Sequence, residues 1–237
     1  METEQNYGLK RIILIDSFLP GRRYIVDVAG NTGITGDNGR GKTSLIKLPV
    51  IFYGERPVKI GIKQNTELKL KGFSGWYLPR NGSYVVFEYL SAGEKRCVVF
   101  LPDTNTEEGV CRYFIESGYE DALFFDETVE RPCSKEQFIK NLTLQNIRHH
   151  SPHSYDQYRK ILLDGDVKGQ KHFSMVPSGS RLSQLHELFG GMLKRETDFS
   201  MLCKIIENWA HRGIGEDSRS ALASFSLDRA RLKSWIV

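Results

Sequence analysis

Along the first half of the chain, apolar and polar positions alternate with a period of two, and further on the spacing becomes helical. Residues 10–16 (KRIILID) form an isoleucine-rich strand pattern, and residues 24–28 (YIVDV) alternate as a returning strand. Between them residues 18–23 (FLPGRR) predict a turn, because Pro20 presets φ and Gly21 tolerates a positive one. Residues 31–35 (NTGIT) read as a third strand, and residues 42–49 as the start of a helix. Residues 50–80 are rich in glycine and lysine and predict loops around short strands. Residues 83–89 (SYVVFEY) and 96–101 (RCVVFL) are strands joined by a hairpin turn at 90–95 that contains Gly93. Residues 110–115 and 122–125 are expected to extend the same antiparallel sheet. Ser134 to Gln137 make a capping box before a short helix over 136–142. From about Ser154 the pattern is helical with glycine and proline interruptions, and residues 181–209 predict two helices broken at Gly190-Gly191. Residues 222–237 keep helical spacing up to Trp235-Ile236-Val237 with no capping signal, so this last helix is expected to continue toward a coiled coil. The chain therefore divides into a β-rich part (1–130) and a helical part (134–225), with residues 226–237 starting a coiled-coil or terminal helix.

Composition adds limits to this picture. With 237 residues, 40% hydrophobic and 26% charged, the chain can bury a sizeable core. A net charge of +4 is compatible with nucleic acid as a partner but too small to argue for it alone. Cys97, Cys111, Cys133 and Cys203 are scattered and form no C-x-x-C pair, so nothing points to zinc or to disulfides. The polar N-terminus METEQNYGLKR is no signal peptide, and every apolar run falls short of the ~20 residues a membrane helix needs. A cytoplasmic protein without membrane contact is expected.

The sharpest chemical signal is residues 36–43, GDNGRGKT, which fit G-x-x-x-x-G-K-[ST] without a mismatch. Gly36, Gly39 and Gly41 let the backbone fold tightly, so that N–H groups from Asp37, Asn38 and Arg40 onward can face phosphate oxygens. Lys42 is placed to reach the β- and γ-phosphates, Thr43 to offer its hydroxyl to magnesium, and Ser44 to follow on the first turn of the helix. ATP and magnesium are the expected cofactors. The plain alternative is a surface turn that happens to hold three glycines.

Two hairpin strands before the phosphate loop differ from the simple doubly wound nucleotide fold. Strand, turn, strand and then G-x-N-G-x-G-K-T, with Asn38-Gly39 and Gly41-Lys42 in the matching places, resembles the N-terminal half-head of SMC-like and RecF-like ABC-type ATPases. The helix-Gly-Gly-helix arrangement of 181–209 is similar to the MukB, MksB and JetC branch. The resemblance implies an α/β (α+β) lobe over residues 1–225 with an N-terminal antiparallel layer and a helical part leading to a coiled coil. It also implies hydrolysis only with a C-terminal lobe and a second head, and action on DNA in chromosome organisation or anti-plasmid defence.

Other stretches carry weaker signals. Residues 122–127 (ALFFDE) imitate a Walker B strand through Asp126-Glu127, and residues 188–192 (LFGGM) imitate the signature motif, but their order is reversed from that of a complete head. A self-contained NTPase or kinase using Asp126 and Glu127, or a nucleotide-gated adaptor without hydrolysis, are the alternatives. Gln64 lies where a glutamine could reach magnesium and the attacking water, although a surface glutamine reads equally well. Arg22 and Arg23 on the turn could approach the nucleotide, with solvated arginines as the default. His149, His150 and His153 suggest a metal only weakly, since Pro152 breaks the helix and no carboxylate set accompanies them, and a loop with solvated histidines is the expected reading. Lys59, Lys63, Lys69, Lys71 and Arg80, with Phe73, Trp76 and Tyr77, form a basic and aromatic stretch. It reads either as a DNA phosphate contact or as a solvated loop with buried aromatics.

Overall fold

Two of the predicted strands are apolar on both sides, and they occupy the middle of the sheet because only there are both faces covered. They are β3 (Tyr84–Ser91) and β4 (Glu94–Pro102). In this computed structural model, residues 6–30, 32–37, 41–62, 72–106, 108–126, 131–180, 182 and 186 are described. Around the central pair lie β1 (Gly8–Ile15), β2 (Arg23–Asp27), β5 (Val110–Ile115) and β8 (His149–His150). The six-stranded sheet runs β2-β1-β3-β4-β5-β8 and all its pairings are antiparallel. The β3–β4 hairpin closes through Ala92 and Gly93 at φ 51° and 84°. Two positive φ angles match the right-handed twist of the strands, and glycine tolerates the second at no steric cost.

Alternation along the strands splits the core in two. Ile12, Val85, Phe87, Val98, Phe100 and Phe114 face helices α1 (Lys42–Phe52), α2 (Gly72–Tyr77) and α5 (Tyr155–Leu163). Ile13, Ile15, Val86, Val99, Leu101 and Ile115 face α3 (Asp121–Phe124) and α4 (Lys135–Leu144). On the first face Phe100 meets Phe87 at 5.4 Å, Tyr158 at 5.6 Å and Phe73 at 5.7 Å between ring centres, near edge-to-face. Such pairs add roughly 0.5–1.5 kcal/mol beyond the burial of their area.

A cross-strand pair interrupts the apolar pattern on the second face. Arg11 lies opposite Glu88 in the β1–β3 register. Its guanidinium donates to both Glu88 oxygens, at 2.5 and 2.8 Å, and the Tyr119 N–H donates to Glu88 at 2.9 Å. Burial pushes the Glu88 carboxyl up, but these donors outweigh it and hold it below its ordinary range.

Two helices begin as their sequences direct. Ser134 caps α4 by accepting from the Gln137 N–H at 3.3 Å, and Ser154 caps α5 by accepting from the Gln157 N–H at 3.1 Å. Ser154→Ala is expected to lower stability by about 1 kcal/mol, read as a shift in the urea midpoint with unchanged slope.

The structure corrects several expectations. Residues 32–35 form no strand, because Asp27 diverts the chain as it leaves β2. The Asp27 carboxylate accepts from the Ala29 N–H and its carbonyl from the Thr32 hydroxyl, both at 2.9 Å, which competes with a ladder. The described residues of 50–80 hold helix rather than short strands: α1 runs to Phe52, a 3-10 turn spans Pro57–Ile60, and α2 covers Gly72–Tyr77. Ala122 to Phe125 do not extend the sheet. Asp121–Phe124 make a helical turn, and Phe125–Asp126 (β6) pair with Arg131–Pro132 (β7) in a separate two-stranded ladder. The histidine run is not a plain loop, since His149 and His150 are the edge strand β8. Beyond α5, residues 164–180 carry one 3-10 turn (Lys171–Phe173) rather than further helices. The expected helices at 181–209 and 222–237 lie outside the described residues, apart from Leu182 and His186.

Candidate nucleotide-binding site

Helix α1 starts at Gly41, which adopts φ 84° and ψ 9°, a left-handed conformation that glycine enters without steric cost. No side chain caps this end, and the first turn carries no acidic residue. The leading N–H groups and the positive end of the helix dipole therefore meet no competing carboxylate of their own turn. Lys42 folds back over the loop, its ammonium donating to the Gly36 carbonyl and, at 2.7 Å, to the Asp37 carbonyl. Thr43 is exposed on the first turn, with Ser44 beside it. Gly36, Asp37, Gly41, Lys42, Thr43 and Ser44 thus come together at one helix end. Asn38, Gly39, Arg40 and Gln64 lie outside the described residues.

The residues present fit a phosphate group with its magnesium. The described residues of the loop provide the Lys42 ammonium, an uncapped helix end and a hydroxyl on the first turn, which is the donor set a polyphosphate needs.

A turn and a short helix brace this end of α1. The aromatic ring of Phe18, on the β1–β2 turn, lies so close to Gly41 that a Cβ there would sit 2.9 Å from it. Asp16, at φ 47°, accepts at its carboxylate from the Gly21 N–H at 2.6 Å and from Arg80 Nε at 2.9 Å. Arg80 also donates to the Asp16 carbonyl at 2.5 Å, and the Ser83 hydroxyl joins it at 2.7 Å. From α2, the Tyr77 hydroxyl donates to the Ser44 carbonyl at 2.8 Å, while the Ser17 hydroxyl donates to the Tyr77 carbonyl at 2.5 Å. Burial pushes the Tyr77 phenol up to about 12, so it remains a donor across the ordinary pH range. Sequence reading missed Asp16, Phe18 and Tyr77 as parts of the site. The one available signal was an aspartate shortly before Pro20-Gly21, which favours a side-chain-closed turn.

Alongside the site, an open apolar groove of about 360 Å3 runs between β1, β2, residues 28, 30, 32 and 34, and α1. Leu9, Ile12, Val26, Ile34, Leu45 and Pro49 are among its walls. Pro49 sits inside the helix and lacks the N–H that would bond the Leu45 carbonyl.

The remaining candidates scatter. Leu123 and Phe124 of the Walker B look-alike pack on the face of the sheet opposite α1, and Glu127 is outside the described residues. Residues 188–192 also lie outside. Arg23 pairs with Asp121 rather than turning toward the loop, and Arg22 is exposed. In the basic and aromatic stretch, Phe73 and Tyr77 are buried, Lys59 lies 3.7 Å from Glu55, and Arg80 is bound to Asp16. Trp76 remains exposed, and Lys63, Lys69 and Lys71 are not among the described residues. Among the described residues no three His, Cys, Asp or Glu side chains gather as a metal site, and no helix is long and apolar enough to cross a membrane.

Residues 13–237 match the model of a family described as "Protein of unknown function (DUF3584)". No curated protein matches the chain.

Proposed function

The chain belongs to the DUF3584 family, and we propose that it is an ATP- and magnesium-binding N-terminal head lobe of an SMC-like ATPase acting on DNA. The observation that carries the reading is the end of α1: Gly41 in the left-handed region, no acidic residue or side-chain cap, and Lys42 folded over the carbonyls of Gly36 and Asp37. The Lys42 ammonium, released from these carbonyls, and the leading N–H groups would hold the β- and γ-phosphates, and Thr43 would offer its hydroxyl to a magnesium ion that would offset the phosphate charge. Charge developing on the γ-phosphoryl group is met by these fixed donors.

Turnover requires parts this reading assigns elsewhere: a C-terminal lobe with Walker B and a second head with the signature. The groove beside α1, with Ile46 on its wall at 44% exposure, supports a missing lobe on that side. The apolar part of ALFFDE, Leu123 and Phe124, packs on the face of the sheet opposite α1, which favours the half-head over a self-contained enzyme. DNA binding and a role in chromosome organisation or anti-plasmid defence follow from the resemblance to the MukB, MksB and JetC branch.

The test measures ATP binding and steady-state hydrolysis by this chain under the same magnesium conditions. Binding without turnover, unchanged in Asp126→Asn and Glu127→Gln, is expected. Robust turnover that either substitution removes would sink the half-head reading.

A further inference from the structure

Three tyrosine hydroxyls hold α1 and the turn that follows it by their backbone, two at the C-terminal side and one at the N-terminal end. At the C-terminal end the Tyr158 hydroxyl donates to the Phe52 carbonyl at 2.6 Å, and the Tyr155 hydroxyl donates to the Glu55 carbonyl at 2.8 Å. At the N-terminal end Tyr77 alone plays this part, donating to the Ser44 carbonyl at 2.8 Å. Ser44 is the third residue of α1, directly after Lys42 and Thr43.

We infer that Tyr77 is a positioning residue of the nucleotide site, fixing the first turn of α1 so that Lys42 and Thr43 are held ready for the phosphates. The inference rests on the reading that residues 36–44 bind a nucleotide. Tyr77 touches neither Lys42 nor Thr43 in this network, and it acts through the backbone they share. Its own position is well determined. The ring stacks on Phe73 at 4.7 Å with 25° between planes, and its carbonyl accepts from the Ser17 hydroxyl at 2.5 Å. Ser17 follows Asp16, which Arg80 and Ser83 clamp through the Asp16 carbonyl. A continuous path of hydrogen bonds therefore runs from the start of β3 through the β1–β2 turn and α2 to the first turn of α1.

Helix propensity alone would not keep that turn ordered. The capping residue is a glycine, no side chain caps the helix, and Pro49 removes one intrahelical bond a turn later. An external donor at Ser44 replaces what the sequence of α1 lacks. A rigid first turn spares the bound state the cost of ordering it, so the effect appears in affinity as well as in stability.

Tyr158→Phe is the matched control, because it removes the same hydroxyl from the far end of the same helix. Tyr158 is fully buried, so its loss costs at least as much stability as that of Tyr77. Wild type, Tyr77→Phe and Tyr158→Phe are titrated with a fluorescent ATP and magnesium, each with its thermal unfolding curve and its amide exchange over residues 41–45. Tyr77→Phe is expected to weaken binding by about 3- to 10-fold, mainly through faster dissociation, and to speed exchange in the first turn. Tyr158→Phe is expected to bind like wild type at an equal or lower melting temperature. Wild-type affinity in Tyr77→Phe overturns the inference and leaves the nucleotide reading standing. Equal weakening in both variants overturns it as well, since affinity would then only follow stability. Failure of the wild type to bind ATP overturns the nucleotide reading, and the inference with it.

Discussion

Lys42→Ala is expected to weaken ATP binding by on the order of 100-fold or more while leaving the unfolding transition in place. The ammonium is the only cation among the described residues of the loop, and in the free protein its two partners are the carbonyls of Gly36 and Asp37. Charge-assisted bonds to phosphate are worth about 1.5–3 kcal/mol each, so losing two or three of them removes most of the affinity. The fold is insulated from the change. The buried residues of α1 are Leu48, Val50, Ile51 and Phe52, more than a turn away, and alanine is a good residue for a helix. Isothermal titration beside a thermal melt reads both quantities. A folded Lys42→Ala protein with wild-type affinity would mean that the phosphates bind elsewhere.

The second large effect lies across the sheet. Arg11→Ala leaves the Glu88 carboxylate, whose side chain is 3% exposed, without its guanidinium partner. The Tyr119 N–H remains as a donor, so the expected loss is about 3 kcal/mol at neutral pH, the lower end for a broken buried pair. In the wild type the folded-state pKa of Glu88 is depressed. Its contribution is therefore complete above the ordinary carboxylate value of 4.5 and is lost as the pH falls through the folded value. In the variant, burial dominates and raises the folded-state pKa above the unfolded one. The neutral acid is then the favoured form, and stability falls as the pH rises through that raised value. Urea unfolding of both proteins should show their difference widest near neutrality and shrinking toward about pH 4. A difference that stays constant over that range would exclude Glu88 as the charged partner.

Much of this could be read from local pattern, and the misses have a common cause. The glycine-rich loop before α1, the hairpins at Pro20-Gly21 and Ala92-Gly93, and the caps at Ser134 and Ser154 depend on residues close in sequence, so their signals are local. Residues 31–35 and 122–125 looked like strands because their composition suits one, but a strand exists only where a neighbour offers a free edge. Asp27 turned the first away, and the second closed into a helical turn over the Leu123 and Phe124 core. In the basic and aromatic stretch the buried-aromatic reading fits Phe73 and Tyr77, but the partners of Arg80 and Tyr77 at Asp16 and Ser44 lie far off in the chain.

By itself the sequence determined that a glycine-rich loop ends in Lys42-Thr43 at a helix start, and that the apolar strands around Phe87 and Val99 form a buried antiparallel core. Those features follow from backbone sterics and from a two-residue alternation, both of which are properties of neighbouring residues. Only the tertiary structure decided that Leu123 and Phe124 pack on the face of the sheet opposite α1, that Phe18 rests on Gly41, and that Tyr77 holds the first turn of α1. Such contacts join residues tens of positions apart, and their formation depends on how the strands register and which face of the sheet each helix covers.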